Sequence, residues 1–133
     1  MVLNWSDISD LCNGVREQLR GEKFDCIVGV SRGGLIPATI IAYKMGVEEV
    51  LAARVQTYHD CPQYIIPEVK GKRVLVVDDI NDSGNTFNIL YSNGLNENAT
   101  FCALYKKSTS SFEQGVYGVV SNSEKWIVFP WDK

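Results

Sequence analysis

A chain of 133 residues, 45% hydrophobic and 22% charged, has the size and make-up of one ordinary globular domain, able to bury a core without a disulfide or metal staple. Its formal net charge of −3 speaks against a nucleic-acid partner, which would call for a basic face, but leaves room for a small anionic ligand held by backbone amides. No apolar run approaches the roughly 18 residues of a membrane helix, and Met1 to Asp7 does not read as a signal peptide, so the expectation is a cytoplasmic protein without a membrane partner.

In chain order, Ile8, Leu11, Cys12, Val15 and Leu19 recur at helical spacing, with Ser6 as N-cap and Gly21 closing the element. Phe24 to Val30 reads as a buried strand, broken by Ser31-Arg32-Gly33-Gly34. Leu35 to Met45 returns to helix, with Pro37 in its first turn and Gly46 at its end. Val50 to Tyr58 is a second strand and His59 to Val69 a polar loop containing Pro62 and Pro67. Arg73 to Val77 is a third, central strand that runs into Asp78-Asp79. After a short turn, Thr86 to Ser92 is helical and Gly94 closes it. Ala99 to Tyr105 forms a fourth strand, and the remainder reads as short strand and loop. Apolar strands alternating with helices imply an α/β fold, a mainly parallel twisted sheet flanked by helices, in one domain over residues 1–133.

Four cysteines, Cys12, Cys26, Cys61 and Cys102, make no C-x-x-C pair. All four are expected as free thiols, three of them in apolar stretches. The single histidine, His59, is too close in sequence to Cys61 to suggest a nucleophile pair.

Ligands of open α/β sheets bind beyond the carboxyl ends of the strands, so the loops there carry the chemistry. In Val74-Leu75-Val76-Val77-Asp78-Asp79-Ile80-Asn81-Asp82-Ser83-Gly84-Asn85-Thr86, an apolar strand delivers two adjacent carboxylates to the sheet edge. A hydroxyl-rich turn, Asp82 to Thr86, then opens a helix whose free N–H groups and dipole suit a phosphate monoester. The carboxylates suit ribose hydroxyls or Mg²⁺, a hard cation that takes oxygen ligands. An EF-hand reading of Asp79 to Gly84 fails, because the twelfth position is Leu90 rather than Glu and a strand precedes the loop. The segment also lacks the lysine of a P-loop. A capped helix after a core strand would account for one carboxylate but not for the pair.

This segment resembles the phosphoribosyl pyrophosphate (PRPP) signature of type I phosphoribosyltransferases, an apolar strand followed by D-D-x-x-D-[ST]-G-x-T. The resemblance implies that Asp78 and Asp79 contact the ribose hydroxyls and metal, with Asp79 the Mg²⁺ residue. It also implies that Asp82, Ser83, Gly84, Asn85 and Thr86 hold the 5′-phosphate. The loop Val30-Ser31-Arg32-Gly33-Gly34-Leu35-Ile36-Pro37-Ala38 resembles the family's pyrophosphate loop. There Gly33 and Gly34 let the backbone approach an anion and Arg32 offers a fork of donors.

Ala103-Leu104-Tyr105-Lys106-Lys107 and Trp126-Ile127-Val128-Phe129-Pro130-Trp131-Asp132 resemble the xanthine–guanine and hypoxanthine branch, with its small C-terminal base-binding hood. That resemblance implies a base site in which Lys107 binds the purine O6, Trp126 stacks on the ring and the Ile127 backbone lies alongside. Thr57 and Tyr58 stand where the family's lid carries Ser-Tyr, Ser83 where threonine is usual, Asn85 where glycine is common, and Ser108 where proline often follows the lysine.

The implied activity is transfer of the 5-phosphoribosyl group from PRPP to a 6-oxopurine with release of pyrophosphate. Asp82 acts as general base, Mg²⁺ is the cofactor, and a homo-oligomer, dimer or tetramer, is expected. A phosphoribosyltransferase for another base such as a pyrimidine, or a PRPP-binding regulator without turnover, are the alternatives.

Overall fold

The computed structural model describes residues 1–58 and 61–132. In chain order its elements are α1 (Trp5–Gln18), β1 (Cys26–Val30), α2 (Leu35–Met45), β2 (Val50–Tyr58), β3 (Cys61–Ile65), β4 (Val74–Asn81), α3 (Asn85–Ser92), β5 (Ala99–Lys107), β6 (Val116–Ser121) and a 3₁₀ turn at Pro130–Asp132. The strands form one sheet in the order β3-β2-β1-β4-β5-β6, parallel throughout except for the antiparallel pair β2–β3. This is the expected α/β architecture, with the mainly parallel sheet and its flanking helices.

Alternation along the central strand explains the two layers. Leu75 and Val77 of β4 face α1 and α2, packing with Ile8, Cys12, Val15 and Ile41. Val74 and Val76 face the other way, toward Phe87 and Leu90 of α3 and the ring cluster Phe87–Phe101–Phe112. Both faces are covered, as a parallel sheet requires. Cys12, Cys26 and Cys102 are buried free thiols, and Cys61 is exposed.

Four local expectations change. Helix α1 is capped by Asn4 rather than Ser6. Asn4 accepts from the Asp7 amide while the Asp7 carboxylate accepts from the Asn4 amide, a reciprocal box that starts the helix at Trp5. The helix ends at Gln18, so Gly21 closes the following turn instead. The stretch expected as a polar loop contains β3, paired with β2 from Arg54↔Ile65 to Tyr58↔Cys61. It is an edge strand exposed along its length, where Pro62 is tolerated because one side needs no ladder donor. His59 and Asp60, part of that same stretch, lie outside the described residues. Finally, β4 does not stop before the acidic pair but carries Asp78 to Asn81 in register with Ala103 to Lys106 of β5.

The chain leaves β1 in one direction for β2 and returns on its other side as β4. That reversal leaves a crevice at the carboxyl ends of β1 and β4, where the two loops singled out above emerge.

Candidate active site

The first loop enters α2 directly, with Gly34 as N-cap and no side-chain cap. Its glycines are required by space rather than by backbone angle. A Cβ on Gly34 would lie 2.6 Å from the Val77 carbonyl oxygen and 2.7 Å from that of Val30, so the loop threads between the ends of β1 and β4. A Cβ on Gly33 would lie 2.2 Å from Asp79 Oδ2. Arg32, beside them, is exposed. Trp131 Nε1 lies 3.3 Å from the same point above Gly33 and is buried with no hydrogen-bond partner among the described residues. A buried indole N–H left unpaired beside a glycine loop is what an oxygen-rich guest would satisfy.

The acidic pair is asymmetric. The Asp79 amide donates to Asp78 Oδ1 and the Ile80 amide to Asp79 Oδ1, each at 2.8 Å. Oδ2 of Asp79 is thereby the oxygen turned toward Gly33. Burial, and then the charge of Asp79, push the Asp78 carboxyl well above the usual carboxylate range. No cluster of three or more metal-ligating side chains exists among the described residues. One or two carboxylates, completed by substrate phosphates, is nonetheless the arrangement in which Mg²⁺ is commonly held, so the residues present fit that ion.

Beyond the pair, Gly84 adopts a left-handed conformation (φ 93°) and starts α3 without a side-chain cap. The Asn85 amide donates to Ser83 Oγ at 3.2 Å, so Ser83 closes the turn locally. The Thr86 and Phe87 amides, in the first turn of the helix, have no intrahelical acceptor. Asp82, Ser83, Gly84 and Thr86 line a hollow of about 80 Å³ with Asp78 and Phe87.

Ile80 and Asp82 also border a larger cavity of about 410 Å³, walled by Asp79, Lys107, Trp126 and Ile127. Here the end of β5 meets the C-terminal segment. That segment is tied back by Val2↔Val128 bridging and by the tilted contact of Trp131 with Trp5 of α1 at 5.9 Å. Lys107 Nζ donates to the carbonyls of Ser123 at 2.7 Å and Lys125 at 3.1 Å. An ammonium has three hydrogens, so one is left for the cavity. Trp126 is 79% exposed, its ring laid open rather than packed. Ile127 is buried. Lys106 is on the opposite side of the strand, only 6% exposed, its Nζ 6.0 Å from the Tyr117 ring centroid.

The structure therefore gathers Asp79, Asp82, Lys107, Trp126 and Ile127 around one cavity and sets the Asp82–Thr86 turn beside it. Arg32, Gly33, Gly34 and Asn85 line neither hollow, although Gly33 abuts Asp79. Thr57 is exposed near the end of β2, beside Tyr58. Sequence reasoning passed over Asn81, Ser110 and Trp131. For Trp131 a signal existed in the W-I-x-x-P-W pattern, whose second tryptophan went unused.

A parallel sheet carries a glycine loop and an acidic strand end at its switch point, beside a cavity walled by a lysine and an open indole. The family model for the phosphoribosyl transferase domain matches residues 1–133. The chain belongs to that family, and is thereby a glycosyltransferase of the pentosyl-transferring class. It is similar to the xanthine-guanine phosphoribosyltransferase of Idiomarina loihiensis, at 32% identity over 88% of this chain and 76% of the relative. It is also similar to that of Vibrio atlanticus, at 30% identity over 98% and 88%. Among solved structures it resembles a purine phosphoribosyltransferase of Pyrococcus horikoshii, with a TM-score of 0.89, 32% identity and coverage of 100% of this chain and 94% of that one. No helix among the described residues is long and apolar enough to cross a membrane.

Proposed function

We propose that the protein transfers the 5-phosphoribosyl group of PRPP to a 6-oxopurine, guanine, xanthine or hypoxanthine, releasing pyrophosphate. The observation that carries this reading is the shared cavity, in which a lysine donor and an exposed indole face stand next to the acidic strand end and the phosphate turn. The names of the similar relatives, xanthine-guanine and purine phosphoribosyltransferases, support the same choice.

In this reading the turn Asp82–Thr86 receives the 5′-phosphate on helix amides and hydroxyls, and Asp78 and Asp79 receive the ribose hydroxyls. Arg32 with Gly33 and Gly34 receives the pyrophosphate, and the free Trp131 indole N–H lies within that region. Thr57 and Tyr58, at the end of β2, contribute to the cover that excludes water. A base nitrogen attacks C1 of the ribose as the bond to pyrophosphate breaks, through an oxocarbenium-like state. Asp82, bordering both hollows, accepts the ring proton. Asp79 would hold Mg²⁺ together with the substrate's phosphates, and the ion would neutralise charge on the leaving group. Holding sugar and base by separate anchors keeps the reactants in attacking geometry.

Choice of base follows from hydrogen-bond polarity. The remaining Lys107 N–H can pair with the carbonyl at the purine 6-position, whereas adenine presents an amine there and leaves the donor unpaired. Trp126 adds affinity through its face without distinguishing among purines. Pyrophosphate release with Mg²⁺ and PRPP, measured over guanine, xanthine, hypoxanthine, adenine and uracil, tests the proposal. Release with the three oxopurines and little with the others is expected. Preferred use of adenine or a pyrimidine overturns the base assignment, and PRPP binding without release with any base overturns turnover.

A further inference from the structure

Asn81 stands inside the acidic signature, between the paired carboxylates and the phosphate turn, yet it faces the interior and is only 3% exposed. Its side chain is fully engaged. Nδ2 donates to the Phe112 carbonyl at 2.9 Å and to the Tyr117 hydroxyl at 3.0 Å, and Oδ1 accepts from Ser110 Oγ at 2.7 Å. A buried polar network satisfied at every member holds its parts in one arrangement. What it holds is the segment Ser110–Phe112, which lies against the phosphate turn. The Ser111 amide donates to the Ser83 carbonyl at 2.9 Å and Ser111 Oγ donates to the same oxygen at 3.0 Å. Asn88 Nδ2 of α3 in turn donates to Ser111 Oγ at 2.9 Å. Contact is close enough that a Cβ on Gly84 would lie 2.6 Å from both the Phe112 amide nitrogen and Ser111 Oγ.

Two donors on the Ser83 carbonyl fix the peptide plane that leads into Gly84 and so into the first amides of α3. We propose that Ser110–Phe112 is a strap that presets the phosphate turn, with Ser111 its positioning residue and Asn81 its anchor in the core. The proposal rests on the reading of Asp82–Thr86 as the 5′-phosphate site. Ser111 reaches the turn from behind, through the carbonyl of Ser83, so its effect is on how well the amides are aimed. A preset turn spares the ligand the entropy of ordering it.

Ser111 is exposed, and its replacement leaves the core untouched. Ser111→Ala keeps the backbone bond to Ser83 and removes the hydroxyl one, together with the bond that Ser111 Oγ accepts from Asn88. The expected result is a KM for PRPP raised roughly threefold to tenfold, the worth of the one neutral hydrogen bond that the Ser83 carbonyl loses. Neither kcat nor the KM for the base should move, and Tm should be unchanged. Ser111→Thr, which keeps the hydroxyl, restores the wild-type KM. Isothermal titration separates the anchors, since Ser111→Ala should weaken ribose 5-phosphate by the same factor and leave Mg²⁺-pyrophosphate as in the wild type. Unchanged ribose 5-phosphate affinity in Ser111→Ala, with the wild type binding it, overturns the strap. Equal weakening of both ligands also overturns it. A wild type that binds neither overturns the function on which it rests.

Discussion

Lys106 and Lys107 are neighbours in sequence on opposite sides of β5, so variants of the two test the proposed base contact apart from packing. Lys107→Ala removes the donor directed into the cavity. It is expected to lower kcat/KM on guanine, xanthine and hypoxanthine by roughly tenfold to a hundredfold, the worth of a charge-assisted hydrogen bond, and to narrow the gap to adenine. Lys106→Met keeps the buried stem and gives up the contact over Tyr117, so Tm should fall modestly while the order of bases stays fixed. An altered base order in Lys106→Met would reverse the assignment. Asp78 supplies a second test. Its carboxyl is raised by burial and by the charge of Asp79. A raised group favours the fold most below its ordinary range and loses that contribution as pH climbs through the raised value. Asp78→Asn mimics the protonated form and keeps the oxygen that accepts the Asp79 amide. It should raise Tm at neutral pH, flatten the dependence of Tm on pH between acid and neutral, and depress turnover. Site chemistry at the cost of stability is the common pattern at active sites. A Tm that falls, with activity kept, would deny it. The paired aspartates were legible because an apolar strand ending in two charges has no packing explanation. Asn81 was not. As a polar letter it looks like its solvent-facing neighbours, and its partners Ser110, Phe112 and Tyr117 lie some thirty residues away.

At the scale of the element, the loop between β1 and α2 holds two glycines with different reasons to be glycine. Gly34 sits in ordinary helical backbone (φ −71°), and only space excludes a side chain. The obstacles are the carbonyls of Val30 and Val77, fixed in the sheet. Gly34→Ala must therefore part the ends of β1 and β4, and Tm should fall by several degrees along with activity. At Gly33 the main obstacle is the Asp79 carboxyl, Oδ2 at 2.2 Å and Cγ at 2.9 Å, at the end of a side chain that can turn, with Trp131 Nε1 farther off at 3.3 Å. Gly33→Ala should leave Tm within about a degree of wild type, yet weaken Mg²⁺-PRPP binding by turning Asp79 away. Equal losses of Tm in the two variants would mean that the loop is structural only. The helices and the interior strands of this region were readable from apolar runs and glycine punctuation. Strand β3 was hidden, because an edge strand exposed along its length shows no alternation and Pro62 argues against a strand at all. Its pairing partner decides it, and pairing is not local.

For the whole molecule, alternation of apolar strands with helices was enough to read a parallel α/β sheet, while the strand order, with β1 between β2 and β4, was not, since both sides of β1 are equally apolar. Covering that sheet on both faces has a consequence in alkali. Burial raises the Cys12 thiol to about 11 from an ordinary 9.0, and raises that of Cys102, fully buried on β5, further still. Tyr117, also buried, is pushed up to about 12 from 10.0, against the opposing pull of its bond from Asn81. In each case the unfolded chain gives up its proton first, so above about pH 9 the folded state binds more protons than the unfolded one. Stability then falls with every further rise in pH. Thermal melts should give a Tm nearly level from about pH 7 to 8 and a steepening decline from about 9 upward. Carrying Cys12→Ala and Cys102→Ala together removes two of these groups and leaves Tyr117 and Cys26, whose thiol is also raised by burial. The variant should melt lower at pH 7, because each substitution leaves a small cavity, and its curve should lie flatter than the wild type's between about pH 8.5 and 10.5. Curves that stay parallel over that range would show that Cys12 and Cys102 do not set the alkaline limit.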